Sequence, residues 1–105
     1  MATLLNNATS VGAGAPYRAS GPNRSFQAVV SGTGAVSATV VVEGTNDVDV
    51  SANPQNWLLL GTITLSGTNS TTDGFPSNTN WMFVRMRVSA ISGTNATVRG
   101  GVEVS

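Results

Sequence analysis

Between residues 24 and 104 apolar side chains return at every second position, and no stretch sustains the period of an amphipathic helix. That alternation constrains the fold more than any other feature, because successive side chains of an extended strand point to opposite faces and a period of two buries one of them. Residues 24–31 (RSFQAVVS) set Phe26, Ala28 and Val30 against Ser25, Gln27 and Val29, and residues 35–43 set Val36, Ala38, Val40 and Val42 against Ser37, Thr39, Val41 and Glu43. In 81–90 the core phase is Met82, Val84, Met86, Val88 and Ala90, and in 96–104 it is Ala96, Val98, Val102 and Val104. Residues 57–66 (WLLLGTITLS) are apolar in both phases at their start, which predicts cover on both faces or a bulge at Gly61. Short strands spaced by Gly, Asn and Ser predict an all-β fold, a single antiparallel β-sandwich of jelly-roll or immunoglobulin-like order.

A four-residue theme recurs as Ser31-Gly32-Thr33-Gly34, Glu43-Gly44-Thr45-Asn46, Ser66-Gly67-Thr68-Asn69 and Ser92-Gly93-Thr94-Asn95. Its uneven spacing argues against a solenoid. Glycine supplies unusual backbone angles and Ser, Thr and Asn cap local amides, so the theme reads as a reused turn, with a tight hairpin predicted at 31–34.

Residues 1–23 sustain neither period and carry Gly12, Gly14, Pro16, Gly21 and Pro22. They predict an extended N-terminal arm, with 24–105 as the sandwich domain. An arm of this kind is free to cross to a neighbour, so its removal is expected to cost binding more than domain stability.

The chain of 105 residues has no Cys and no His, which removes thiolate nucleophiles, imidazole bases and Cys/His zinc sites. It also has no Lys, so Schiff-base chemistry and a phosphate-loop lysine are excluded. These absences predict a protein that is not an enzyme and uses no cofactor. Five arginines, at positions 18, 24, 85, 87 and 99, balance Glu43, Asp47, Asp49, Asp73 and Glu103, for a net charge of +0. Such balance argues against a nucleic-acid partner and reads as scattered solvated charge. With 10% charged residues the surface is weakly defended against self-association, a hint of an assembled protein. No segment has the length of an apolar membrane span, and the first residues lack a signal-peptide pattern, so synthesis in a reducing cytoplasm is expected.

Several side chains are candidates for function. Asp47 and Asp49 have the spacing at which calcium ligands begin, but the further ligands of a calcium loop are missing and a solvated turn is favoured. The scattered carboxylates do not form a glycosidase pair. Trp57 and Trp81 offer a sugar-stacking platform, against the plainer role of plugging the ends of the fold. Trp81, Phe83, Arg85 and Arg87 share one strand face, too apolar to be freely solvated and too charged for core. With Tyr17 they form the preferred protein-contact surface, since Arg beside aromatics is enriched at interfaces.

The run 37–47 (SATVVVEGTND), followed by Asn56-Trp57, 60–67 (LGTITLSG), 72–75 (TDGF), Trp81, Phe83-Val84-Arg85 and 90–94 (AISGT), resembles small virion structural proteins of tailed bacteriophages. Within that group the chain is most similar to head decoration or capsid cement-like proteins. The similarity covers about residues 24–104 and departs from the pattern at 48–55, inserted before Trp57. It implies a non-enzymatic virion protein, made in the bacterial host cytoplasm, that docks as an oligomer on an assembled head lattice. The implied partners are the major capsid protein and copies of the chain itself, without nucleic acid or membrane. A carbohydrate-binding or accessory module of a phage tail or particle surface is the alternative.

Overall fold

The predicted alternation is realised in strands much longer than the sequence runs suggest. The computed structural model describes residues 2–19, 21, 23–46, 56–78 and 81–104. They form β1 (Ala2–Ala8), β2 (Gly12–Ala13), β3 (Tyr17–Arg18), β4 (Arg24–Thr45), β5 (Leu58–Ser77) and β6 (Phe83–Val104), with no helix among the described residues. The strands join one antiparallel sheet in the order β1-β6-β4-β5, and β2 and β3 continue along β6 where β1 leaves it. The all-β antiparallel expectation is thereby met.

Residues 31–34 do not make the predicted hairpin. The two halves of β4 never pair with each other: 24–31 lies between 70–77 of β5 and 97–104 of β6, and 37–44 lies between 58–66 and 84–92. The register slips instead at 31–35 against β5 and at 31–37 against β6. At this level Gly34 (φ 74), Asn69 (φ 65) and Asn95 (φ 56) adopt left-handed backbone, and the Gly34 N–H donates to Asn69 Oδ1 at 2.8 Å. Three copies of the recurring theme therefore line up side by side as bulges. An extra residue in left-handed conformation bends a strand rather than reversing it when both halves are already paired on each side.

The bend is large. Laid straight, the 22 residues of β6 would span about 73 Å at about 3.3 Å per residue, whereas the longest dimension of the molecule is 41 Å. Each long strand folds over so that its halves face each other. A methyl group on Gly61 would lie 2.5 Å from the Phe75 ring at the far end of β5, and one on Gly100 would collide with Met86 Sδ on the other half of β6. The folding also explains how the chain passes from Arg18, opposite Phe83, to Arg24, opposite Val104, through residues 19–23. The six residue steps from Arg18 to Arg24 reach about 22 Å at most, far less than a straight β6.

The core lies between the facing halves. Phe26, Ala28, Val30, Val36, Ala38, Val40, Val42, Val84, Met86, Val88, Ala96, Val98 and Val102 are buried in the predicted phases, joined by Ile63 and Leu65 of β5. Ala90 is exposed because Val40 pairs with Val88 while Thr39 pairs with Ala90, so Ser89 is an extra residue that shifts the phase. A similar slip at Leu60, next to Gly61, takes Leu59 out of the phase of Ile63 and turns it outward opposite Glu43, where it is exposed; Leu58, opposite Gly44 at the start of the strand, is exposed as well.

The N-terminal segment is not free for a neighbour. Leu4 and Leu5 are both buried in the chain's own core, an arrangement permitted by the slip between Thr3, opposite Gly101, and Leu5, opposite Gly100. Two buried leucines contribute about 4 kcal/mol before ordering costs, enough to hold this segment on β6. The expected outcome for Leu5→Ala is a loss of about 3 kcal/mol in chemical denaturation of the isolated protein. An unchanged denaturation midpoint would mean the segment is detached in solution, as its lack of period suggests.

Candidate functional site

The predicted contact surface is built at the end of β4 farthest from Arg24, on the outer face of the sheet. Antiparallel register sets Thr45 opposite Phe83, Glu43 opposite Arg85, and Val41 opposite Arg87, while β5 brings Leu59 beside Glu43 and Thr62 beside Val41. Directly opposed residues share a face. Phe83, Arg85 and Arg87 are thus on one surface, as expected, and at its centre is a residue that the sequence pattern does not single out, Glu43.

Glu43 is buried despite facing outward. Its Oε1 accepts a hydrogen bond from Arg85 Nε at 2.9 Å and lies 3.6 Å from Arg87 Nε, an ion pair beyond hydrogen-bond reach. The Arg85 guanidinium also sits 4.4 Å from the centre of the Trp57 ring, within cation–π range. Arg87 keeps 40% of its side chain exposed, and two guanidiniums against one carboxylate leave the cluster positive. Beside it on the same face stands Leu59, opposite Glu43 and 64% exposed, while Leu58, opposite Gly44, is exposed on the other face of the strand.

Trp81 does not belong to this surface. It precedes β6, and its Cγ would lie 2.8 Å from a methyl group on Gly44, which points to the same side as Val42 and the core. Trp81 therefore closes the end of the core beside Leu60, and the N–H of its neighbour Met82 donates to Asn46 Oδ1 at 2.8 Å. Tyr17 is also elsewhere. It lies opposite Val84 and, with Ala2, Val102, Glu103 and Val104, lines a cleft where the two ends of β6 meet.

The two tryptophans consequently lie on opposite faces of the sheet and form no common platform for a sugar ring. One face of Trp57 is already covered by Arg85. Asp47, Asp49 and the 48–55 insertion lie outside the described residues. The charges are not all solvated as expected: besides Glu43, Arg24 is buried, donates from Nε to the Gly21 carbonyl at 3.3 Å, and has its pKa lowered by desolvation.

The exposure of Leu58 and Leu59 has a signal in the sequence, the doubly apolar start of 57–66. The pairing of Glu43 with Arg85 has none, because register is a property of two distant segments. No protein-family model, curated protein or solved structure matches the chain.

The cluster can act as a preformed contact: an apolar edge beside a guanidinium held in place by a buried carboxylate, with little side-chain freedom left to lose on binding. Removing one partner of a buried pair strands the other charge, and with Arg85 20% exposed the expected cost of Glu43→Leu is about 2 kcal/mol. The Glu43→Leu/Arg85→Leu double variant should recover most of that loss. Strictly additive losses in a double-mutant cycle by urea denaturation would show that the pair does not organise this surface.

Proposed function

We propose that the chain is a structural protein of a bacteriophage virion, a decoration or cement protein that binds the assembled head lattice and stabilises it by contact alone. The observation that carries the reading is the exposed Leu59 beside the positive Arg85–Glu43–Arg87 cluster and Phe83 on one outward face, the composition of a protein interface rather than of a free surface. The resemblance of residues 24–104 to head decoration proteins points the same way, as does the scarcity of charge.

The fold adds support. Divided at the bends, the sheet comprises half-strands 2–8, 12–18, 24–31, 36–45, 58–68, 70–77, 83–91 and 96–104. In chain order, the first, eighth, third and sixth lie side by side and face the second, seventh, fourth and fifth. We read this as a β-sandwich in jelly-roll order, an architecture used in viral capsids and also in lectins. The alternative, a carbohydrate-binding module on a tail or particle surface, is disfavoured by the separation of Trp57 from Trp81.

In this reading the protein is made in the bacterial host cytoplasm and joins the virion, with the major capsid protein and copies of itself as partners. A ligand that binds only the assembled shell stabilises it by mass action. Purified heads carrying the protein should resist heat or osmotic shock better than heads lacking it. Leu59→Ser and Arg87→Gln, which place no second carboxylate against Glu43, should weaken that protection by far more than they lower the melting temperature of the isolated protein. Equal rupture of heads with and without the protein would overturn the proposal.

A further inference from the structure

The sheet has two edges of unequal character. At one, β1, β2 and β3 are short and interrupted, with slips between Thr3 and Leu5 and between Leu5 and Ala8, and Pro16 stands just before β3. Broken and proline-marked edges are how β proteins avoid unwanted pairing. At the other, β5 presents 20 residues, and among the described residues no strand pairs with it on the side away from β4. Its only charge is Asp73 and its only proline is Pro76, both beyond the bend, so residues 58–72 carry neither. Thr62, Thr64 and Ser66 on its outer face are exposed, as are Leu58 and Leu59 at its start.

We infer that the 58–68 half of β5 is a dimerisation edge, where two copies of this chain pair their β5 strands antiparallel about a twofold axis. A second copy fits this edge on three grounds. The uncharged run meets its own image without like-charge repulsion. Antiparallel self-pairing in phase preserves the pleat, so that outward Thr62, Thr64 and Ser66 meet outward residues and inward Ile63 and Leu65 meet inward ones. The exposed Leu58 and Leu59 lie on the same edge segment and lose water contact as the two strands close. A twofold pairing of this kind consumes the uncharged half of the open edge in both copies and stops, leaving outside the blunted β1 edges and the 70–77 half, which carries Asp73 and Pro76. The inference is independent of the virion reading, because it concerns the protein alone in solution.

Light scattering on the purified full chain should give twice the chain mass at high concentration. Thr62→Lys/Thr64→Lys, which places like charges across the axis on exposed positions, should give a monomer with an unchanged circular dichroism spectrum. Because the chain contains no cysteine, single substitutions Thr62→Cys, Thr64→Cys and Ser66→Cys report the contact directly. At least one should form a disulfide-linked dimer under mild oxidation, and Thr3→Cys on the opposite edge should not. A wild-type chain that stays monomeric, an open-ended polymer, a dimer unaffected by the lysine pair, or equal cross-linking at Thr3 would each overturn the inference.

Discussion

Gly34, Asn69 and Asn95 hold left-handed backbone at one level of three neighbouring strands, and this line of bends is what the rest of the molecule depends on. A straight three-stranded ribbon of such length would expose one entire apolar face, because its alternation puts Phe26, Val30, Val36, Val40 and Val42 all on one side. Bending together lets that face cover itself. Glycine and asparagine suit the bends because they visit the left-handed region at low cost, and the Asn69 side chain receives the Gly34 amide that the slipped ladder releases. The folded ends then meet without side chains at Gly61 and Gly100, where Phe75 and Met86 fill the space.

Much of this is legible in the sequence, and the parts that are not have a common cause. The buried phases of 24–31, 35–43, 84–88 and 96–102 follow from local alternation and are found as expected. The Ser-Gly-Thr-Gly segment has the same local chemistry in a hairpin turn as in a bulge. What decides between them is the presence of partners on both sides of β4, which only the whole sheet supplies. Alternation assigns Trp81 to the face of Arg85 only if it is extended past the start of β6 at Phe83, where the pleat no longer dictates direction. Leu4 and Leu5 give no period because a slip turns two successive side chains inward.

The same non-local register creates the surface chemistry. Glu43 looks like an ordinary outward residue until β6 places Arg85 opposite it, with the Trp57 ring against the Arg85 guanidinium. Burial of a carboxylate under two guanidiniums gains little stability over an apolar replacement, but it holds Arg85 and Arg87 in a defined arrangement beside Leu59. In a chain with so few charges, concentrating three of them at one end leaves the rest of the described surface mostly to Ser and Thr, with Arg18, Asp73, Arg99 and Glu103 exposed elsewhere and in balance. That division suits a protein whose work is contact: one patch with directional chemistry, and elsewhere a neutral, strand-rich surface.

The claim on which everything else stands is that the long strands fold back on themselves, and it is open to direct observation by nuclear Overhauser spectroscopy of the isolated protein. The account predicts cross-peaks from the Met86 methyl group to the Gly100 α-protons and from the Phe75 ring to the Gly61 α-protons, between residues far apart on the same strand. Absence of both, in a spectrum that does contain the cross-strand contacts of Ala28 with Gly100 and of Phe26 with Phe75, would contradict it.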